Sequence, residues 1–483
     1  MNTTSHTADV LLEPKAAEPA RAAALPESMS PAVSVGFWVV AAWVFISFSR
    51  FFDSIAAGYK IPGIVYYVMV GVILISGAIP RALANRMTWW IVAFTVWMGI
   101  TLPFSVWKSN SLQPSREAFQ CLVTFVAVSG LTVSPRQCLR MLQTLGFAAC
   151  VGAGLSFIFG NMETGRLEMA VGSFKDPNEY AMTLLMGLPL IALMARSSGA
   201  FLRFAGIAGS LLTFYVFLRA GSRGGMIALL VMGFVLFWGV SLGKKAIIVV
   251  AGGGALVLGL AILPGYLQQR YITFFSVDEA GPMSGEERAK LQGADVASTE
   301  GRLDLFYGGL RLTAKHPIFG VGPGNFPSAH WDESMARGIR TGWNVTHNTY
   351  LQLSSETGIP GLLLFVGFLF RAFTAVRRVI KNGAANGYPE LARAGYHLWL
   401  SLTAVCAAAF FLSLGYSPYF YVLGAMALSL ERAISQPSAV PAPVAHAAFT
   451  VTMPNTPVAL DLPAPSAKKV MSGKEVRALM RKV

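Results

Sequence analysis

The apolar residues of this chain come in long blocks and do not alternate with polar ones. Runs lie near 34–49, 61–79, 88–106, 117–133, 139–159, 179–195, 202–219, 225–242, 246–264, 359–376, 396–415 and 417–432. Each approaches the roughly 20 residues that carry a helix across the hydrocarbon core. The pattern predicts an all-α polytopic membrane protein with about twelve transmembrane helices, several of them interrupted by Gly or Pro. Polar stretches divide the chain further. Residues 1–32 read as a flexible leader, 33–264 as helices one to nine, 265–346 as one large loop, 347–433 as helices ten to twelve, and 434–483 as a tail. A loop of that length is expected to hold short helices of its own. Leu303, Phe306, Leu310 and Thr313 recur at helical spacing after Gly301, as in a short amphipathic helix lying on the membrane surface. The tail is Pro- and Ala-rich over 436–466 and basic over 467–483. There Val476, Leu479, Met480 and Val483 form a stripe suited either to an anionic leaflet or to a solvated end.

Composition narrows the class. The 483 residues are 54% hydrophobic and 13% charged, against roughly 25% charged in ordinary soluble domains. The formal net charge is +14, but the bases sit in short loops between apolar runs, which argues against nucleic acid as a partner. Arg81 and Arg86, Arg136 and Arg140, Arg196 and Arg203, Lys244 and Lys245, then Arg371, Arg377, Arg378 and Lys381 follow the even-numbered runs with almost no acid beside them. The positive-inside rule therefore places both termini in the cytoplasm and the 265–346 loop on the outer face. Membrane lipids are the expected surroundings. The four cysteines lie in or beside apolar runs without metal-ligand spacing. No cofactor or metal is implied by any spacing.

Three segments carry residues that a lipid-facing scaffold does not need, and all fall at the predicted outer face. Leu218 to Gly225 is the tight connection between runs seven and eight and holds Arg219 and Arg223 with no neighbouring acid. Guanidinium groups at that boundary point to an anion or to lipid headgroups, and the adjacent glycines free backbone N–H groups to approach one. Thr299 to Asp304 places Arg302 at the start of the loop helix, where by spacing alone an intraloop salt bridge is the simpler reading. Asn344 to Leu353 opens a span with polar residues and includes His347, expected to share a helix face with Tyr350, Leu351 and Ser354. A neutral imidazole accepts a proton near pH 7. Gly172 to Tyr180 and Ala314 to Phe326 read as turns.

Gly221-Ser222-Arg223-Gly224-Gly225, Gly301-Arg302, His316-Pro317-Ile318-Phe319-Gly320-Val321-Gly322-Pro323-Gly324-Asn325-Phe326, His347-Asn348-Thr349-Tyr350-Leu351-Gln352-Leu353 and Glu356-Thr357-Gly358-Ile359-Pro360-Gly361 together resemble the O-antigen ligase/polymerase family. The patch Phe174-Lys175-Asp176-Pro177-Asn178 matches it too. The resemblance covers roughly 170–370. It implies a fold similar to lipid-donor (GT-C-like) glycosyltransferases. It also implies transfer of a glycan from a polyprenyl-pyrophosphate carrier to a glycan or lipid A-core acceptor, without a divalent metal. The family's key arginines and histidine carry over to Arg223, Arg302 and His347. Arg219, Ser222, Asn348, Tyr350, Lys175 and Asn178 are the accompanying substrate-binding candidates. In-line attack would invert the anomeric centre. A single large outer loop leans toward a ligase over a polymerase. The competing reading is a transporter or flippase of lipid-linked saccharides that performs no chemistry.

Overall fold

A computed structural model describes residues 31–55, 59–162, 165–169, 175–197, 199–272, 301–339 and 342–436. The leader up to residue 30, Gly172 to Phe174, the 273–300 part of the loop and the tail from 437 lie outside the described residues. Every described element but one isolated bridge, Asn161 with Glu168, is helical. The helices are α1 (Pro31–Ser49), α2 (Phe51–Ile55), α3 (Ile61–Ile75), α4 (Ala78–Leu83), α5 (Arg86–Thr101), α6 (Lys108–Leu131), α7 (Pro135–Phe159), α8 (Pro177–Met194), α9 (Ala200–Arg219) and α10 (Arg223–Trp238). α11 (Leu242–Ile247) runs through a π-helical turn into α12 (Gly253–Ile262), and α13 (Gly265–Ile272) follows. Residues 301–315 form α14. α15 (Phe326–Ala336), α16 (Thr349–Asn382), α17 (Pro389–Ala408) and α18 (Pro418–Ile434) complete the chain.

Each of the twelve apolar runs falls on a helix. Among the described residues, six helical stretches are long and apolar enough to cross a membrane: Pro31–Ser49, Arg86–Phe104, Pro135–Phe159, Ala200–Arg219, Leu242–Ile262 and Thr349–Asn382. The shorter Ile61–Ile75 and Arg223–Trp238 are apolar as well. Burial separates inner from outer helices. α8 and α18 are buried along most of their length, whereas α12 has no buried residue and presents Val257, Leu258 and Ile262 outward. An apolar helix exposed all round has lipid as its natural solvent. α8 packs on α7, α9 and α17. His397 of α17 bonds the Pro189 carbonyl at 2.7 Å, and Ser401 donates to the Met186 carbonyl at 2.8 Å.

Helix ends follow local chemistry. Ser134 and Gln137 form a capping box on α7, and Asp176, Ser222 and Asn348 cap α8, α10 and α16 with their side chains. α16 is interrupted at Gly358, whose φ of +73° suits glycine and where a Cβ would overlap the Ile318 carbonyl. The glycine-rich 317–326 segment fills this break. Val321 N–H donates to Ser355 O at 2.8 Å, Gly322 N–H to Glu356 O at 2.9 Å, and Ile359 N–H to Pro317 O at 2.8 Å. The buried Glu356 carboxylate accepts from Gly324 N–H at 2.9 Å and from the Tyr416 hydroxyl at 2.7 Å. Asn325, fully buried, donates to Ser111 Oγ at 2.9 Å and to the Trp107 carbonyl at 3.1 Å. Thus the two glycine-bearing motifs are a single locked joint between the loop and the bundle.

α14 is the short helix that the loop periodicity predicts. Leu305 and Leu312 face inward with Val321, Phe326 and Ala329, while Leu303, Phe306, Tyr307 and Leu310 are exposed. Thr313 turns inward to Ser354 at 2.8 Å. His330 of α15, fully buried, holds α14 through Asp304 at 3.0 Å.

Glu356→Ala is expected to strand the Gly324 amide and the Tyr416 hydroxyl, at about 1–3 kcal/mol for each orphaned group. The melting temperature of the purified protein in detergent should fall clearly, and Glu356→Gln, which keeps an acceptor, should recover part of the loss.

Candidate functional site

One end of the bundle gathers the unusual residues. They come from the α7–α8 connection, the α9–α10 turn, α13, the first turn of α14 and the approach to α16. The α9–α10 turn is tight because Gly221 adopts φ of +60°. Around it the neighbouring elements close on backbone carbonyls. Arg166 Nε donates to Ala220 O at 3.0 Å, Arg270 Nε to Gly221 O at 2.9 Å, and the Tyr271 hydroxyl to Leu218 O at 2.9 Å. Leu167 N–H reaches Arg219 O at 3.1 Å.

Asn178 is the hub. Its Oδ1 accepts from the second guanidinium nitrogen of Arg166 at 2.8 Å and from Ser222 Oγ at 3.0 Å, while its amide group donates to Asp176 at 3.1 Å. Asp176 also takes the Asn178 N–H at 2.8 Å as the cap of α8. The α7–α8 connection and the distant α9–α10 turn are thereby joined through Asn178.

The predicted residues Arg223, Arg302 and His347 meet here. Arg302 interacts electrostatically with Asp176 and Arg223, and His347 with Arg302 and Asp176. Arg166 interacts with Arg270, Asp176 and Arg302. Among the described residues, Arg166, Arg302 and His347 thus share the influence of Asp176, with Arg270 beside Arg166 and Arg223 beside Arg302. Burial lowers the Arg166 guanidinium to about 10, and the nearby Arg270 adds to the shift. Burial and Arg223 lower Arg302 against the opposing pull of Asp176. His347 lies below the ordinary histidine value, first through burial and then through Arg302.

His347 is not on the helix face expected of it. α16 begins at Thr349, and His347 stands before the cap with φ of +48° in the left-handed region. Thr346 Oγ bonds Ser413 Oγ at 2.9 Å and donates to Asn348 O at 3.0 Å, and Thr349 N–H donates to Ala409 O at 2.8 Å, so both flanks are pinned. A left-handed histidine so constrained costs of order 1–2 kcal/mol, the kind of local strain that gathers at working sites.

Other candidates fall outside the cluster or have structural partners. Asn348 Oδ1 caps α16 by accepting from Tyr350 N–H and Leu351 N–H at 3.0 and 3.1 Å. The Tyr350 hydroxyl donates to Cys406 O at 3.0 Å, and its ring packs on Phe410, so it faces α17. Ser222 caps α10 through Gly225 N–H at 3.1 Å. Arg219 lies over the Tyr215 ring of its own helix, 5.9 Å from the centroid. Lys175 is exposed. The sequence reading did not single out Arg166 or Arg270. Arg270 follows an apolar run with no acid near it, the same signal that marks Arg219 and Arg223. Among the described residues, no group of three or more His, Cys, Asp or Glu side chains is placed to hold a metal ion.

Residues 208–366 match the family model described as O-antigen ligase. That stretch is what the chain shares with the family model, and several of the described helices are long and apolar enough to cross a membrane. The matched stretch runs from within α9 to within α16 and contains Arg219, Arg223, Arg302 and His347. Arg166, Asp176 and Asn178 lie ahead of it. No curated protein matches the chain.

If Asn178 and Arg166 act as one unit, a double-mutant cycle of Arg166→Ala and Asn178→Ala on thermal stability should show coupling of about 0.5–3 kcal/mol. Strict additivity would show that the hub does not couple the two connections.

Proposed function

We propose that this protein is a glycosyltransferase that moves a glycan from a polyprenyl-diphosphate carrier to an acceptor hydroxyl on the periplasmic face of the inner membrane. The observation that supports this reading is the electrostatic contact of Arg302 with Arg223, Asp176 and His347, and of Arg166 with Arg270, Asp176 and Arg302. Half-buried guanidinium groups gathered at one boundary are suited to an anion. A diphosphate fits such a site because guanidinium groups pair with phosphate oxygens in two-point contacts.

The chemistry follows. The acceptor hydroxyl oxygen attacks the anomeric carbon and forms the new C–O bond. The bond to the diphosphate breaks, and its electron pair leaves with the diphosphate oxygen. Arg223 and Arg302 stabilise the charge that develops there, and the hydroxyl proton passes to His347. Attack opposite the leaving group inverts the centre. The guanidinium groups supply the charge stabilisation that a metal gives elsewhere. Twelve spans with a GT-C-like arrangement, both termini cytoplasmic, agree with the basic residues at the far helix ends, such as Arg136, Arg196, Lys244 and Arg378. The short α7–α8 connection favours ligation to a core acceptor over polymerisation.

Arg223→Ala, Arg302→Ala and His347→Ala, each checked for membrane insertion, should lower transfer from a purified lipid-linked donor by about 10²–10³. Full transfer in all three would end the proposal. Loss of carrier translocation, in a chain that forms no new glycosidic bond, would identify a transporter.

His347 must be neutral to accept a proton. Activity should therefore fall as pH drops through its pKa, and the acid limb should lie below the ordinary 6.5. Asp176 raises that pKa, so Asp176→Asn, which preserves a cap for α8, should move the limb to still lower pH. A limb that moves upward would contradict the assignment.

A further inference from the structure

A concavity lies near the arginine cluster, lined by Glu179, the residue after Asn178. A cavity of about 400 Å³ opens between the C-terminal end of α1, the start of α3, the N-terminal half of α6 and the first turns of α8 and α18. Arg116, Glu117 and Gln120 of α6 line it and continue into an adjoining depression of about 510 Å³. Glu179 of α8, Arg50 just after α1 and Tyr67 of α3 face it as well.

Its chemistry differs from that of the cluster. Two arginines are matched by Glu117 and Glu179, and Arg50 is also paired with Asp53 at 3.1 Å. Such a lining carries both signs of charge. It offers many hydroxyl groups both donors and acceptors, with carboxylates able to accept from two at once. Tyr67, 67% exposed, presents an apolar ring face with a polar tip. The volume falls within the range of small-molecule sites.

The cavity touches the reaction site at two points. Glu179 follows Asn178, the hub of the cluster. Tyr416 lines the cavity, and the same α17–α18 connection holds Thr346, next to His347, through Ser413.

We propose that this cavity is a saccharide site and takes the acceptor glycan, so that carrier diphosphate and acceptor sugar bind on opposite sides of the first turn of α8. This assignment rests on the transferase reading for the word acceptor, but saccharide binding itself does not.

The test uses the full chain in nanodiscs and, as probe, oligosaccharides released by mild acid from the host cell's own surface glycan. Saturation-transfer NMR should show binding to the unaltered protein. Glu117→Ala with Gln120→Ala should weaken it about tenfold or more, as expected for loss of hydrogen bonds to hydroxyls. Glu117→Gln, which keeps the shape, should show a smaller loss. Binding should persist in Arg223→Ala and in excess inorganic pyrophosphate. In transfer assays the double variant should raise the acceptor KM and leave the donor KM unchanged. No binding by the unaltered chain, binding unaffected by the double variant, or displacement by pyrophosphate would each overturn the proposal. Probe binding that obeys this pattern in a protein without transfer activity would keep the saccharide site and remove the transferase reading. Intact transfer with an unmoved acceptor KM would do the reverse.

Discussion

Guanidinium groups packed into a half-dry space repel one another, and the structure at this end of the bundle is organised by that fact. Arg166 and Arg270 cannot separate because each donates through Nε to a backbone carbonyl of the same tight turn, at Ala220 and Gly221. Their remaining nitrogens stay aimed by the planar guanidinium geometry. Asp176 is itself positioned by its role as the cap of α8. The backbone thus holds cations close together where solvent alone would not.

The bundle was readable from the sequence because a lipid-facing helix needs an uninterrupted apolar run, which leaves a signal in one dimension. The twelve apolar runs therefore fall on helices, and six of the described stretches are long and apolar enough to span a membrane. The surface helix α14 was readable from the spacing of Leu303, Phe306 and Leu310. The site was legible in part. Arg223 and His347 stood out as polar groups at a boundary, and Arg302 only through resemblance. Asn178 was named only through resemblance, and Arg166 was hidden because its partner, Ala220, lies more than forty residues away. A connection that pairs through backbone carbonyls leaves no side-chain pattern to read.

The same distinction explains which motifs are framework. The glycine-rich 317–326 segment and the Glu356 to Gly361 segment look functional when read singly. Together they are a joint in which one segment completes the hydrogen bonds that the other breaks at Gly358. Asn348 and Ser222 close helix ends. What remains for chemistry is a small set of charged side chains held by these supports, with the strained backbone of His347 at their edge.

The hub at Asn178 has a consequence for modularity. The family-matched stretch begins inside α9, yet the groups that clamp its arginine turn come from the connection ahead of α8. That stretch is accordingly not a portable cassette. Grafted into a relative whose α7–α8 connection lacks a counterpart of Arg166 and Asn178, it would bring its cations without the scaffold that keeps them together. Evolutionary change in the short connection and in the turn is thereby tied, although the two are far apart along the chain.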